Sequence, residues 1–155
     1  MSPDDYAPTK IFTVEEANAR LPLVRAIMSD LMRLASELSE RRDRLNQLSR
    51  GRTSDSSDVY RAEVEHVEHE LEKDSERLAD YLRELLELGV EPKSAMAGLV
   101  DFPAIIDGKL AYLCWKYGEP EVLFWHGLDA GFSGRQSLTV DSIAGSDHSD
   151  DSLDV

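Results

Sequence analysis

The chain predicts an α+β fold: a long antiparallel helical hairpin followed by a small three-stranded antiparallel sheet and a glycine-rich loop. Three observations carry this expectation. Apolar residues recur at steps of three and four from Ala17 to Leu85, the spacing of helices packed along a seam. Beyond Pro92 the pattern changes to short apolar runs separated by Asp107-Gly108 and Tyr117-Gly118-Glu119-Pro120, as in strands joined by turns. Gly127, Gly131 and Gly134 then space a loop that ends in Arg135.

The first helix is expected to open at Thr13, whose hydroxyl can accept from the backbone of Glu16 while the Glu16 carboxylate reaches back. Its stripe is Ala17, Leu21, Val24, Met28, Leu31, Ala35, Leu38 and Leu45, with Arg42 as an interruption. Pro22 removes a donor and crowds the preceding turn, so a kink is expected near Ala19 to Leu21. Gly51 to Ser57, GRTSDSS, breaks the pattern, and a second helix starts near Asp58. Its stripe is Tyr60, Val64, Val67, Leu71, Leu78, Leu82 and Leu85, interrupted by Asp74. Leu88-Gly89-Val90-Glu91-Pro92 is a stop signal, because Gly89 accepts the left-handed conformation and Pro92 cannot continue a helix. The hairpin therefore spans 13–89.

Folding about residue 53 sets Arg42 level with Val64 and Asp74 level with Met32, so Arg42 and Asp74 do not meet within one hairpin. Each then wants a solvated edge or a partner chain of opposite charge. One hairpin also leaves apolar surface uncovered, and a homodimer through the helical hairpin would cover it as a four-helix bundle. Glu63, His66 and His69 have the spacing of metal-bundle ligands but lie off the inward face set by Val64, Val67 and Leu71, so they read as a solvated surface.

Residues 98–138 hold the sheet and loop. With Lys116 opposite Glu121, Tyr112, Cys114 and Lys116 share a face with Trp125, Leu123 and Glu121, while Ala111, Leu113 and Trp115 share the other with His126, Phe124 and Val122. A slip of one residue exchanges the faces. Cys114 reads as a small buried residue, and Trp115 and Trp125 as core or interface.

The run from His126 to Arg135 admits three readings. His126 and Asp129 could ligate a divalent metal ion, zinc or manganese, completed by Asp101 or Glu119. Alternatively, the amides around Gly131 and Gly134, with Arg135, His126 and Asp129, could hold a small anionic ligand. In the third reading Asp129 pairs with Arg135 simply to fix the loop, and His126 closes a polar edge. No lysine follows the glycines as in a phosphate-binding P-loop, and neither the G-x-S-x-G motif nor the zinc-protease helix motif occurs.

The 155 residues carry a net charge of -14, which opposes phosphate backbones and argues against nucleic acid as a partner. Asp141, Asp147, Asp150, Asp151 and Asp154 make residues 139–155 an acidic, disordered tail, and residues 1–10 form a flexible start around a single domain at 11–138. One cysteine cannot form an intramolecular disulfide, and no stretch looks like a signal peptide or a membrane span. A cytoplasmic protein with no membrane partner is expected.

The segments GLVDFPA (Gly98 to Ala104), LCW-x-x-GEPE (Leu113 to Glu121) and WH-x-x-DAGF-x-GR (Trp125 to Arg135), with FTVEEANARLPLVR at the start, carry a family resemblance. Over about residues 11 to 138 the chain resembles an uncharacterised bacterial family, domain of unknown function 2203. The resemblance implies helices followed by a small sheet and brings no established activity. In that pattern an acidic residue often follows the histidine of the W-H pair; here Gly127 stands there, which weakens the metal reading. The leading functional reading is a homodimeric scaffold or interaction protein with its recognition surface on the sheet and Gly-rich loop. The alternative is an anion- or metal-dependent binding protein or enzyme centred on His126, Asp129 and Arg135.

Overall fold

A computed structural model describes residues 7–50 and 58–139. The expected flexible start through residue 6, the break at 51–57 and the acidic tail from residue 140 lie outside the described residues. Helix α1 (Val14–Arg50) opens on the capping box read from the sequence. The Thr13 N–H donates to Glu16 Oε1 at 3.0 Å, and Thr13 Oγ1 accepts from the Glu16 N–H at 3.1 Å, satisfying two donors that a helix start leaves open. The helix is continuous through Pro22 for 37 residues, a length of about 55 Å.

Helix α2 (Asp58–Glu87) returns antiparallel to it. The Tyr60 hydroxyl donates to the Leu48 carbonyl at 2.7 Å, and Arg44 pairs with Glu63. Asp74, although buried in the seam, pairs with Arg41 and lies 3.6 Å from Arg77. This corrects the expectation that Asp74 finds no opposite charge within its own hairpin. The partner is Arg41, the neighbour of Arg42. At the end of α2, Gly89 at φ 85 lets its N–H donate to the Leu86 carbonyl and the Val90 N–H to Leu85, each at 3.0 Å. These are the two bonds of a Schellman stop.

The sheet has five strands, not the three expected: β1 (Glu91–Ser94), β2 (Leu99–Ile106), β3 (Lys109–Lys116), β4 (Phe124–Gly127) and β5 (Gln136–Ser137). They lie in chain order, each antiparallel to the next. The two unexpected strands are the edges. Their sequences, EPKS and QS, are short and polar and carry no apolar alternation, which is how edges avoid pairing with other chains. Between β2 and β3, Asp107 at φ 53 and Gly108 at φ 74 form the tight turn, the conformation that an Asp-Gly pair accepts.

One face of the sheet packs on the helices. Val100, Phe102, Ala104, Ile106, Ala111, Leu113 and Trp115 meet Ala17, Leu21, Val24, Met28 and Leu31 of α1 and Leu85 of α2. Removing one such leucine side chain costs about 2–5 kcal/mol. Pro103 sits beyond the end of β1, where its lost donor faces no strand, and its carbonyl accepts from the Phe12 N–H at 2.7 Å.

The register between β3 and β4 differs by one residue from that expected with Lys116 opposite Glu121. Tyr112 stands opposite His126, Leu113 opposite Trp125 and Cys114 opposite Phe124. The cause is the connection at residues 117–123. Val122 is buried in the core and its N–H donates to Asn18 Oδ1 of α1 at 2.7 Å, while Trp115 Nε1 donates to the Glu119 carbonyl at 3.0 Å. The chain is thereby held as a loop until Phe124, and His126 turns away from the helices.

Candidate functional site

The face of the sheet opposite the helices carries polar side chains from four strands. Asp101 and Cys114 are register partners across β2 and β3, Tyr112 and His126 across β3 and β4, and Glu91 and Asp101 across β1 and β2. Alternation along a strand places all five side chains on one surface. The loop after β4 folds back over it. Leu128, Gly131 and Phe132 of that loop join Lys93, Leu99, Asp101, Tyr112, Cys114 and His126 around a cleft of about 310 Å³.

His126 is the centre of the arrangement. Its Nε2 lies 2.9 Å from Asp101 Oδ2 and its Nδ1 lies 2.7 Å from the Gly127 carbonyl. Both ring nitrogens face oxygen acceptors, so the ring donates from both as an imidazolium. Burial alone would push its pKa down. Hydrogen bonds to Asp101, Cys114 and the Gly127 carbonyl, with the charge of Asp101, outweigh burial and hold it at about 10. Asp101 and His126 are 2% and 3% exposed, so the ion pair is desolvated on both sides. The Tyr112 ring packs against the imidazole with centroids 5.3 Å apart.

A second charged pair borders the cleft. Lys93 Nζ donates to Glu91 Oε1 at 3.0 Å and lies 4.7 Å from the Tyr112 ring centroid, and the Tyr112 hydroxyl donates to the same Glu91 oxygen at 2.9 Å. Burial pulls the Lys93 ammonium down, but the bond and charge of Glu91, with Tyr112 and Asp101, hold it above the ordinary lysine value. Each cation of the cleft thus has its own carboxylate.

The residues expected at the site separate into groups. His126 and Asp101 meet. Arg135 and Glu119 meet each other instead: Arg135 Nη2 donates to both Glu119 carboxylate oxygens at 2.7 and 2.8 Å and to the Cys114 carbonyl at 3.4 Å. The guanidinium is stacked against Phe124 at 4.0 Å and Phe132 at 4.8 Å from their ring centroids. Glu119 Oε1 also accepts from the Lys116 N–H at 2.7 Å. This pair fixes the loop, the role that the sequence reading gave to Asp129 with Arg135. Asp129 is exposed and has no hydrogen bond or ion pair among the described residues. Gly131, at φ 65 and ψ -168, adopts a backbone shape that only glycine takes without strain, and it lines the cleft. Gly134 packs under the loop, where an added Cβ would lie 2.6 Å from Ala130 Cβ.

Sequence reasoning missed Lys93, Tyr112 and Cys114 as cleft residues, and Glu91 as the carboxylate that holds Lys93 and Tyr112. Their signal was faint. Glu91 and Lys93 alternate across Pro92, and Tyr112 and Cys114 are the polar members of the β3 run, but a one-residue error in register hides the pattern. Glu63, His66 and His69 stay on the outer side of α2, with both histidines exposed and Glu63 held by Arg44.

Fold and site together define an α+β protein in which a helical hairpin backs a meander sheet, and a polar cleft occupies the opposite face. The chain belongs to the family described as Uncharacterized conserved protein (DUF2203), which matches residues 10–138. No curated protein and no solved structure matches it. Among the described residues, no helix is long and apolar enough to cross a membrane.

Proposed function

We propose that this is a small cytoplasmic binding protein whose cleft on the outer face of the sheet takes a compact polar ligand. One observation carries the reading: a desolvated ion pair, Asp101–His126, forms the floor of an open cleft of about 310 Å³. A buried ion pair is on average no more stabilising than apolar side chains of similar volume, so stability alone gives no reason to put charge on this face. Recognition does, because few and precisely placed polar groups in a largely apolar hollow fix a ligand's orientation. Leu99, Leu128 and Phe132 supply the apolar wall, and Lys93, Tyr112 and His126 the directional groups.

A panel of small polar metabolites tested by thermal shift on the wild type and on Leu128→Trp, which fills the hollow from the loop, checks this. A ligand at a hundred times its Kd raises stability by about 2.7 kcal/mol, and Leu128→Trp should abolish that rise. Equal shifts in both proteins, or no shift across the panel, would sink the reading.

The same reading keeps a second copy of the chain on the helical hairpin. Leu71, Leu78 and Leu82 of α2 are half-buried, and Leu86 and Val59 are 54% and 79% exposed. Asp74 does not enter that argument, since Arg41 and Arg77 meet it within the chain. Light scattering at micromolar concentration decides, and a monomeric mass rejects the dimer. The unpaired thiol of Cys114 fits a reducing compartment.

A further inference from the structure

We propose that Asp101, Cys114 and His126 form a three-ligand site for a divalent transition metal, zinc by the chemistry of the set, with a fourth position open to the cleft. The proposal deepens the small-ligand reading and rests on it for what fills that fourth position.

The three side chains come from adjacent strands, so the hydrogen-bond ladder and not a loop sets their spacing. A carboxylate oxygen of Asp101, Sγ of Cys114 and an imidazole nitrogen of His126 all lie within 4.8 Å of one another, and each residue is buried. Zinc bonds of about 2.0–2.3 Å require ligand atoms about 3–4 Å apart. Side-chain adjustments of about 1 Å close that gap without moving a strand.

The outer contact of the histidine is already in place. Nδ1 faces the Gly127 carbonyl at 2.7 Å, the bond by which metal-binding histidines are oriented, and it leaves Nε2 aimed at Asp101 and Cys114. A thiolate and an imidazole beside one carboxylate suit zinc, whereas calcium and magnesium take oxygen ligands.

The set expected from sequence, His126 and Asp129 with Asp101 or Glu119, is thereby redrawn. Glu119 is committed to Arg135 and the Lys116 N–H, Asp129 lies out on the exposed loop, and Cys114 takes their place. Structural zinc sites are closed by a fourth protein ligand, while sites that bind water or substrate keep one position open. Here that position faces the hollow walled by Leu99, Tyr112 and Phe132. Its occupant would be water or a small molecule that offers a carboxylate, amine or thiol.

The experiment uses the full chain, untagged and stripped with chelator, titrated with cobalt(II) and then zinc. The expected result is one cobalt per chain with thiolate-to-cobalt charge-transfer absorption and the intense visible bands of four-coordinate cobalt, all displaced by zinc. Cys114→Ser should lose the charge-transfer band. Asp101→Asn and His126→Gln should bind at least about 100-fold more weakly, since loss of a mere orienting contact already costs about 10–100-fold. His66→Ala with His69→Ala should leave the titration unchanged. The proposal is overturned if the wild type shows no charge-transfer band, if the band survives Cys114→Ser, or if binding vanishes with His66 and His69. Should Cys114→Ser fail to fold by near-ultraviolet circular dichroism, X-ray absorption of the zinc-loaded wild type takes its place: one sulfur in the shell supports the site and none removes it. No organic ligand enters these readouts, so their failure removes the metal and leaves the cleft reading to the metabolite panel, while a silent panel with metal bound does the reverse.

Discussion

Asp101→Asn in the chelator-treated chain isolates the buried ion pair, because it keeps the shape of the side chain and deletes its charge. Folded His126 titrates at about 10, against 6.5 for an ordinary histidine. At about 1.4 kcal/mol for each tenfold change in proton affinity, the gap sets a ceiling of about 5 kcal/mol on what the charged ring contributes. The cost of breaking a buried pair, about 3–5 kcal/mol, is of the same size. Since the folded value lies above the unfolded one, the contribution is complete below about pH 6.5, falls to about 3 kcal/mol near pH 8 and is spent by about pH 10. In the variant the ring loses its reason to stay charged, and a neutral Nε2 accepts from the asparagine amide instead. Urea unfolding of both proteins across that range should therefore give a deficit of several kcal/mol near pH 6.5 that shrinks steadily toward pH 10. A deficit that stays constant with pH, or none at all, would refute the claim that a charged His126 underlies it.

Two further outcomes concern the other buried charges. Asp74→Ala should destabilise the hairpin by about 2–4 kcal/mol, whereas replacing both partners, Asp74→Leu with Arg41→Met, should come within about 1 kcal/mol of the wild type or exceed it; chemical denaturation separates the two, and equal losses would contradict the seam argument. Arg135→Met keeps a side chain between Phe124 and Phe132 but releases Glu119. Because this pair is partly exposed, at 12% and 20%, a loss of about 2 kcal/mol is expected, with faster amide hydrogen exchange confined to the loop at 128–135; unchanged exchange there would mean that the pair does not hold the loop.

The fold was legible where local chemistry alone decides it. Thr13 with Glu16, Gly89 before Val90, and Asp107 with Gly108 each announce a helix start, a helix stop and a hairpin, because each satisfies its own backbone within a few residues. The edge strands were not legible, since EPKS and QS pair only because β2 and β4 offer them an open ladder. The site was half legible. His126 and Asp101 were both named, but their meeting depends on a register fixed by Asn18, 104 positions from Val122 in sequence. Arg135 was paired with its near neighbour Asp129, whereas the loop closes on Glu119, 16 residues away. Sequence spacing reports proximity along the chain, and both errors arose where a contact crosses strands.

The tether from Asn18 to Val122 makes the first turns of α1 a ruler for the sheet. Side chains on a strand alternate, so the connection between β3 and β4 is read by parity: losing or gaining one residue between 117 and 123 would, if pairing absorbed it, carry His126 in among the apolar side chains and bring the Trp125 indole out to the cleft. A change of two residues would leave the set intact. The length of this loop therefore bears on the site through its parity, beside the contacts by which Glu119 and Val122 hold it in place.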